Sequence, residues 1–293
     1  MRRFSTATAA QSTSLAPRGR ARPSLTRPTA PGLSGEVPPE TPIAPPLAAL
    51  LALEMRAGLE LLGLLPALPW LRAAHRGCGS PVLVLPGYLA DDVATRALRW
   101  FLRDRGHHVH GWRLGRNFGP APETVQGLAA RLLALHARHE QRVALVGWSL
   151  GGIYARELAR HFPDHVRQVI TLGSPFRDPN ATTVARLQRF GIGPRADERF
   201  AAFVDRLREP LPVPSTSILS RTDGIVAWRS CVEVPGPNRE TIAVESSHAG
   251  MPHHPAVLLV VAERLAQADG AWRPFDPDTA ARWPLLRAWP LPA

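Results

Sequence analysis

Three residues of this chain have the types and the order that nucleophilic catalysis needs: Ser149, Asp223 and His248. A serine hydroxyl is a weak nucleophile until a base takes its proton. An imidazole base in turn needs a carboxylate to hold its tautomer and stabilise its charged form. Ser149 is the centre of Gly147-Trp148-Ser149-Leu150-Gly151, a G-x-S-x-G pattern that composition alone would produce about 0.1 times in such a chain. The glycines on either side allow a sharp turn that lifts a hydroxyl clear of the backbone, and side chains there would clash.

Each of the other two residues has rivals. Asp223 lies in Ser220-Arg221-Thr222-Asp223-Gly224-Ile225-Val226, where Asp before Gly is also ordinary turn chemistry. For the base, His248 in Ser246-Ser247-His248-Ala249-Gly250 competes with His253 and His254, which stand at the start of a helix rather than in the loop before it. Glu245 is a rival acid, but it directly follows a strand and lies close to His248 in sequence. Ser174, in Gly173-Ser174-Pro175, lacks the following glycine and helix and reads as a turn residue.

Positioning such a set requires strands that end at one edge. Short apolar runs at Pro81 to Leu85, Val143 to Val146, Gln168 to Leu172, Thr216 to Leu219 and Thr241 to Val244 suit buried strands, with a further strand over His108 to Trp112. Between them lie helical patterns: Val93, Ala97, Leu98, Phe101 and Leu102, with Asp91 and Asp92 able to cap it; Val125, Leu128, Leu132 and Leu135; the stretch after Gly152; and Pro255 to Ala266. The alternation predicts an α/β fold with right-handed crossovers and a mostly parallel sheet covered on both faces. Residues 176–213 break the rhythm and read as a lid-like insertion or a plain surface excursion. Their apolar residues Val184, Leu187, Phe190, Ile192, Phe200, Phe203, Val204 and Leu207 could wall an acyl pocket or pack as helix faces.

The order Ser, Asp, His, each in the loop after a strand, together with the stretches PGY, GWSLGG, TLGSP, SRTDGIV and SHAGM, resembles the α/β-hydrolase superfamily, and within it bacterial lipase- and esterase-type serine hydrolases. The resemblance covers roughly residues 81–267. It implies Ser149 as nucleophile, Asp223 as acid and His248 as base, with the backbone N–H groups of Tyr88 and Leu150 as an oxyanion hole. Trp148, Phe118 and Phe176 are candidate pocket residues. The expected substrate is a small-molecule or lipid ester, with no cofactor. Acyl transfer, amide or thioester cleavage, and a non-catalytic interaction role on the same fold are the alternatives. Pro86 departs from the family, many members of which carry a His before the Gly. Because the hole uses backbone donors, this change weakens Tyr88 little.

Composition narrows the partners. The net charge of +11 would suggest nucleic acid, yet all 35 basic residues are arginines, scattered and often beside acids such as Arg156/Glu157 and Asp205/Arg206. This reads as a chain-wide bias, and no nucleic-acid partner is expected. Cys78 and Cys231 are too few for a disulfide framework and lack ligand spacing, so two reduced, partly buried thiols and no metal are expected.

Residues 1–44, rich in Arg, Pro, Ser and Thr, are expected to be disordered. Their acid-free start resembles a transit peptide, which the Arg bias explains nearly as well. No apolar stretch after Arg2 and Arg3 marks a secretory signal, and a cytoplasmic or peripherally membrane-associated protein is expected. Residues 45–75 form an apolar helical segment. From Pro46 to Leu71 the charges of Glu54, Arg56 and Glu60 exclude a membrane span, and Pro66 should break the helix. A helix of about four turns with an Arg56/Glu60 pair either packs on the globular domain, which the sequence favours, or lies at a membrane surface. Residues 76–270 make the α/β domain, and the Trp- and Pro-rich tail 271–293 carries no signal.

Overall fold

Val82 and Val84 face one side of the central sheet and Leu83 and Leu85 the other, and all four are fully buried. The same division runs through Ala144 and Val146 against Val143 and Leu145, as expected where side chains alternate across a strand. Unbroken apolar runs are therefore the signature of a sheet sandwiched between helices. The computed structural model describes residues 43–183, 198–276, 278 and 287–291, all within the compact unit Thr41–Ala293.

The strands are β1 (Pro81–Leu85), β2 (His108–Gly111), β3 (Val143–Trp148), β4 (Val166–Leu172), β5 (Ser215–Ser220), β6 (Arg239–Val244) and β7 (Ala288–Pro290). They form one sheet in the order β2-β1-β3-β4-β5-β6-β7. Every pairing is parallel except β6 with β7, which is antiparallel. The tail strand β7 had no sequence signal: three residues, Ala-Trp-Pro, are too short to show a period, and only pairing with Ile242 to Val244 makes them a strand.

The helices are α1 (Ala48–Ala52), α2 (Ala57–Leu62), α3 (Leu64–Ala73), α4 (Arg96–Asp104), α5 (Pro122–His139), α6 (Leu150–His161), α7 (Glu198–Arg208) and α8 (Pro255–Ala266). Residues of α3, α4 and α8 pack on one face of the sheet, and α5 and α6 on the other. Fully buried Arg156 of α6 pairs with Glu233 and stacks 3.8 Å from the Phe176 ring, so its partner is not the adjacent Glu157. Glu157 instead meets Arg160 and Arg206.

Several local expectations change. The segment 48–73 is not one helix. α1 runs into a 3-10 turn at Leu53–Arg56, then α2, and a break at Gly63 precedes α3. Pro66 does not break α3, because it sits in the first turn, where backbone N–H groups have no partner within the helix anyway. Asp92 does not cap α4, which starts at Arg96. Its carboxylate accepts from the backbone N–H of Trp112 (3.1 Å) and Arg113 (3.1 Å), tying this turn to the end of β2. Cys231 is buried, but Cys78 is exposed, and both are free.

The expected disorder of residues 1–44 lies almost entirely outside the described residues, as do Val184, Leu187, Phe190 and Ile192 of the proposed lid wall. The described part of 176–213 packs against the body. Leu207 is fully buried with Ile153 and Phe176, with Phe203 against them, and Ala227 N–H donates to Ala181 O (2.9 Å).

Candidate active site

Ser149 occupies the one-residue turn between β3 and α6 with φ +54° and ψ −123°. A non-glycine residue held there stores on the order of 1–3 kcal/mol of strain. The surrounding chain enforces it. A Cβ on Gly147 would come 2.4 Å from Gly151 O, and one on Gly151 would come 2.3 Å from Leu85 O. One on Gly152 would strike Ser174 Oγ at 2.0 Å, which gives Ser174 its structural place beneath the turn. Ser149 N–H donates to Leu172 O (2.8 Å), fastening the turn to the end of β4. Gly87 lies so close that a Cβ there would be 3.1 Å from Ser149 Cβ, leaving that side of the serine open.

Asp223 and His248 come from the loops after β5 and β6. Asp223 Oδ2 is 2.7 Å from His248 Nδ1, and both side chains are buried. The other carboxylate oxygen, Oδ1, accepts from Ile225 N–H (2.8 Å) and Val226 N–H (2.7 Å), so the turn that Asp-Gly forms also aims the acid. Gly173, at φ +54°, sits against this pair: a Cβ would be 3.0 Å from His248 Nδ1 and 3.2 Å from Asp223 Oδ2.

Burial by itself lowers the His248 pKa. The charge and hydrogen bond of Asp223, with the charge of Glu54, outweigh it, and the net shift is upward from 6.5. Trp148, next to Ser149, donates its indole N–H to His248 O (3.1 Å) and brings the serine turn beside the histidine loop. Among the described residues no hydrogen bond joins Ser149 Oγ to the His248 ring. Contacts of this kind in unliganded enzymes commonly tighten only with substrate.

The rivals lie elsewhere. His253 Nε2 is 2.9 Å from Ala57 O, and the His254 ring accepts from Ala256 N–H as the cap of α8. Glu245 lies 3.9 Å from Arg287 at the surface. Of the candidate pocket residues, Trp148 is half-buried beside His248 and Phe118 is exposed. Phe176 is enclosed between Ile153, Leu207 and Arg156, packed in core and not facing open space.

Tyr88 lies in the turn that follows β1 and Leu150 opens α6 just after Ser149, and among the described residues neither backbone N–H donates to a protein acceptor. The Tyr88 turn is braced by buried Asn117, which sequence reading passed over. Its Nδ2 donates to Pro86 O (2.9 Å), its backbone exchanges bonds with Leu89 (2.7 Å) and Ala90 (2.8 Å), and Tyr154 OH donates to its Oδ1 (3.3 Å). An Asn two residues before Gly119 was the available signal, hidden because Asn is equally common in plain turns.

A family model described as a PGAP1-like alpha/beta domain matches residues 79–191, which contain β1, the Ser149 turn, α6 and β4. With the sheet order above, this match agrees with an α/β-hydrolase fold. Similar solved structures include a Bacillus licheniformis lipase at 17% identity and TM-score 0.49, covering 66% of this chain and 94% of that one. Mouse alpha/beta hydrolase domain-containing protein 10 is similar at 18% identity and TM-score 0.45, covering 65% and 90%. A pyrethroid hydrolase from Sphingobium faniae is similar at 21% identity and TM-score 0.47, covering 66% and 99%. No curated protein matches the sequence.

The hydrolase-fold domain also carries groups that no motif announced. Glu54, Arg56 and Glu60 reach from the N-terminal segment onto the Asp223 and His248 loops. Glu60 accepts from Ser247 N–H (2.8 Å) and Ser247 Oγ (2.6 Å), and Arg56 donates to Thr222 O (3.0 Å) and Oγ1 (2.8 Å). The expected Arg56/Glu60 pair is present at 3.0 Å. The outward side of this segment is apolar, with Leu47, Met55, Leu59, Leu62 and Leu65 exposed.

Proposed function

We propose that this chain is a serine hydrolase of carboxylic esters. The reading rests above all on the buried 2.7 Å contact between Asp223 and His248 at the sheet edge that carries the strained Ser149 turn. In this mechanism neutral His248 accepts the Ser149 proton at Nε2 as Oγ attacks the acyl carbon. The tetrahedral oxyanion is met by the N–H groups of Tyr88 and Leu150. The tetrahedral species collapses as His248 returns the proton to the leaving alcohol, giving an acyl-Ser149. Water, deprotonated by His248, then releases the acid. Asp223 holds Nδ1–H and stabilises the imidazolium formed in both halves. An acceptor other than water would make the same acyl-enzyme a transferase, and an amide or thioester would pass through the same steps.

A lipid-like substrate, met at a membrane surface, is favoured by the polarity of residues 47–65. The charged groups of this segment turn inward, while Leu47, Leu59, Leu62, Leu65 and Met55, which is 86% exposed, turn outward. An amphipathic face of this kind adsorbs to a lipid interface through buried apolar area. No described helix is long and apolar enough to cross a membrane.

The test is fluorophosphonate labelling combined with an ester panel of graded acyl length, with and without anionic vesicles. Labelling at Ser149, with efficiency rising from acetate to medium chains, is expected. Phosphatidylglycerol vesicles should bind the wild type, and Leu59→Glu/Met55→Glu should release it without changing turnover of soluble esters. Absent labelling refutes the hydrolase reading, and vesicle binding indifferent to the double substitution refutes the interfacial one.

A further inference from the structure

One carboxylate from the N-terminal segment touches both loops that hold the Asp223–His248 pair. Glu54 Oε1 accepts from Gly224 N–H (2.8 Å) and from His248 N–H (3.0 Å), and Oε2 accepts from Ala249 N–H (2.9 Å). Gly224 directly follows Asp223, so the same ion is bonded next to the acid and at the base itself. Three charge-assisted bonds to backbone donors in two loops form a tie that neither loop could make alone.

The fit of this segment is also written into the loops. A Cβ on Gly224 would stand 2.2 Å from Leu50 O, a backbone atom that cannot swing aside, and one on Gly250 would meet Glu60 Oε2 at 1.6 Å. Neither glycine has a left-handed φ, so what each supplies at these two places is room. The loops after β5 and β6 are thus shaped to receive residues 50–60.

We propose that Glu54 is a positioning residue for the reaction, one that ties the Asp223 loop to the His248 loop. This rests on the reading of Ser149, Asp223 and His248 as the reacting set. The charged groups facing His248 are Asp223 from the loop after β5 and Glu54 from the segment packed over it. Glu60 and Arg56 stand one residue further off, paired with each other, and the nearby Cys231 thiol is held neutral by burial and by the Asp223 charge. The upward shift of the His248 pKa includes a contribution from the Glu54 charge, after the opposing effect of burial and the larger ones of Asp223.

The experiment compares full-length wild type, Glu54→Gln and Glu54→Asp by melting temperature, by fluorophosphonate labelling rate against pH, by ester kcat and KM, and by NMR titration of the His248 ring. Glu54→Gln is expected to move the His248 pKa to lower pH and to slow labelling and kcat by about 10- to 100-fold at nearly constant KM, the effect of a misplaced reacting group. Glu54→Asp keeps the charge and loses reach, so the pKa should return close to wild type while kcat recovers only in part. A folded Glu54→Gln with wild-type His248 pKa and labelling rate overturns the proposal. So does a fall in melting temperature and rate with no change in that pKa, which marks a structural strut. If Glu54→Gln does not fold, Glu54→Asp decides: reduced kcat at constant KM supports the tie, and wild-type kcat overturns it. The NMR titration needs no turnover, so it reports on Glu54 even if Ser149→Ala labels like wild type and the hydrolase reading itself fails.

Discussion

Asp223 Oδ2 stands 2.7 Å from His248 Nδ1, and 25 residues separate the two in sequence. Both side chains are almost wholly shielded from water, so the carboxylate acts on the imidazole with little screening. The consequences of this pair can be measured.

Ser149→Ala should abolish ester turnover and fluorophosphonate labelling, with a fall on the order of 10⁶-fold in kcat and an unchanged melting temperature. His248→Ala should match it. Asp223→Asn, which favours the wrong tautomer, should lower kcat about 10⁴-fold. His253→Ala and His254→Ala should be mild, and an inactive His253→Ala with an active His248→Ala would reverse the assignment of the base.

The pH profile should follow His248. The imidazole must be neutral to take the Ser149 proton, and its pKa lies above 6.5 because Asp223 and Glu54 outweigh the lowering by burial. kcat/KM should therefore rise with pH and level off only above pH 6.5. An acid limb centred below 6.5 in wild type would contradict this.

Asn117→Ala should lower kcat roughly 10-fold with a smaller effect on KM, because the Pro86 carbonyl loses its side-chain donor and the Tyr88 N–H loses part of its aim, while the backbone bonds to Leu89 and Ala90 remain. The same fold-loss on adding Asn117→Ala to Ser149→Ala, read against the residual rate of Ser149→Ala alone, would show the effect to be unrelated to the acyl-enzyme.

Stability should fall on the acid side through two histidines outside the site. Burial, with the charge of Arg167, lowers His107 to about 4, and burial, with His139, lowers His110 to about 4. Unfolded, both take a proton near 6.5, so between these values the unfolded chain binds more protons and stability rises with pH. This contribution is complete above 6.5 and is lost as pH falls towards 4. His248, with its raised pKa, works in the opposite sense at higher pH. Chemical denaturation of wild type and His107→Gln at several pH values tests it: the variant should show a shallower loss, and parallel curves would exclude His107 as a source.

Much of the scaffold is legible in the sequence because it depends on neighbours along the chain. Apolar runs such as Val143 to Val146 declare strands buried on both faces, and Pro255 to Ala266 declares a helix. The serine turn is legible too, because its G-x-S-x-G spacing is local, although Gly151 and Gly152 owe their necessity to distant Leu85 and Ser174. Ser149, Asp223 and His248 could be named as candidates because each follows such a run.

Other features were decided only by docking of distant segments. Residues 46–71 read as a helix packed on the domain, the favoured reading, or one lying on a membrane. Folding gave each side of it a different surface, with Glu54 and Glu60 against the loops and Met55 and Leu59 outside. Ala249 meets Glu54 across 195 residues, and Asn117 meets Pro86 across 31. Bonds of that kind leave no period and no spacing in the chain. An acid or an amide that satisfies backbone groups far away looks, in sequence, like any other polar residue in a turn, and only the packed structure brings its partners within 3 Å.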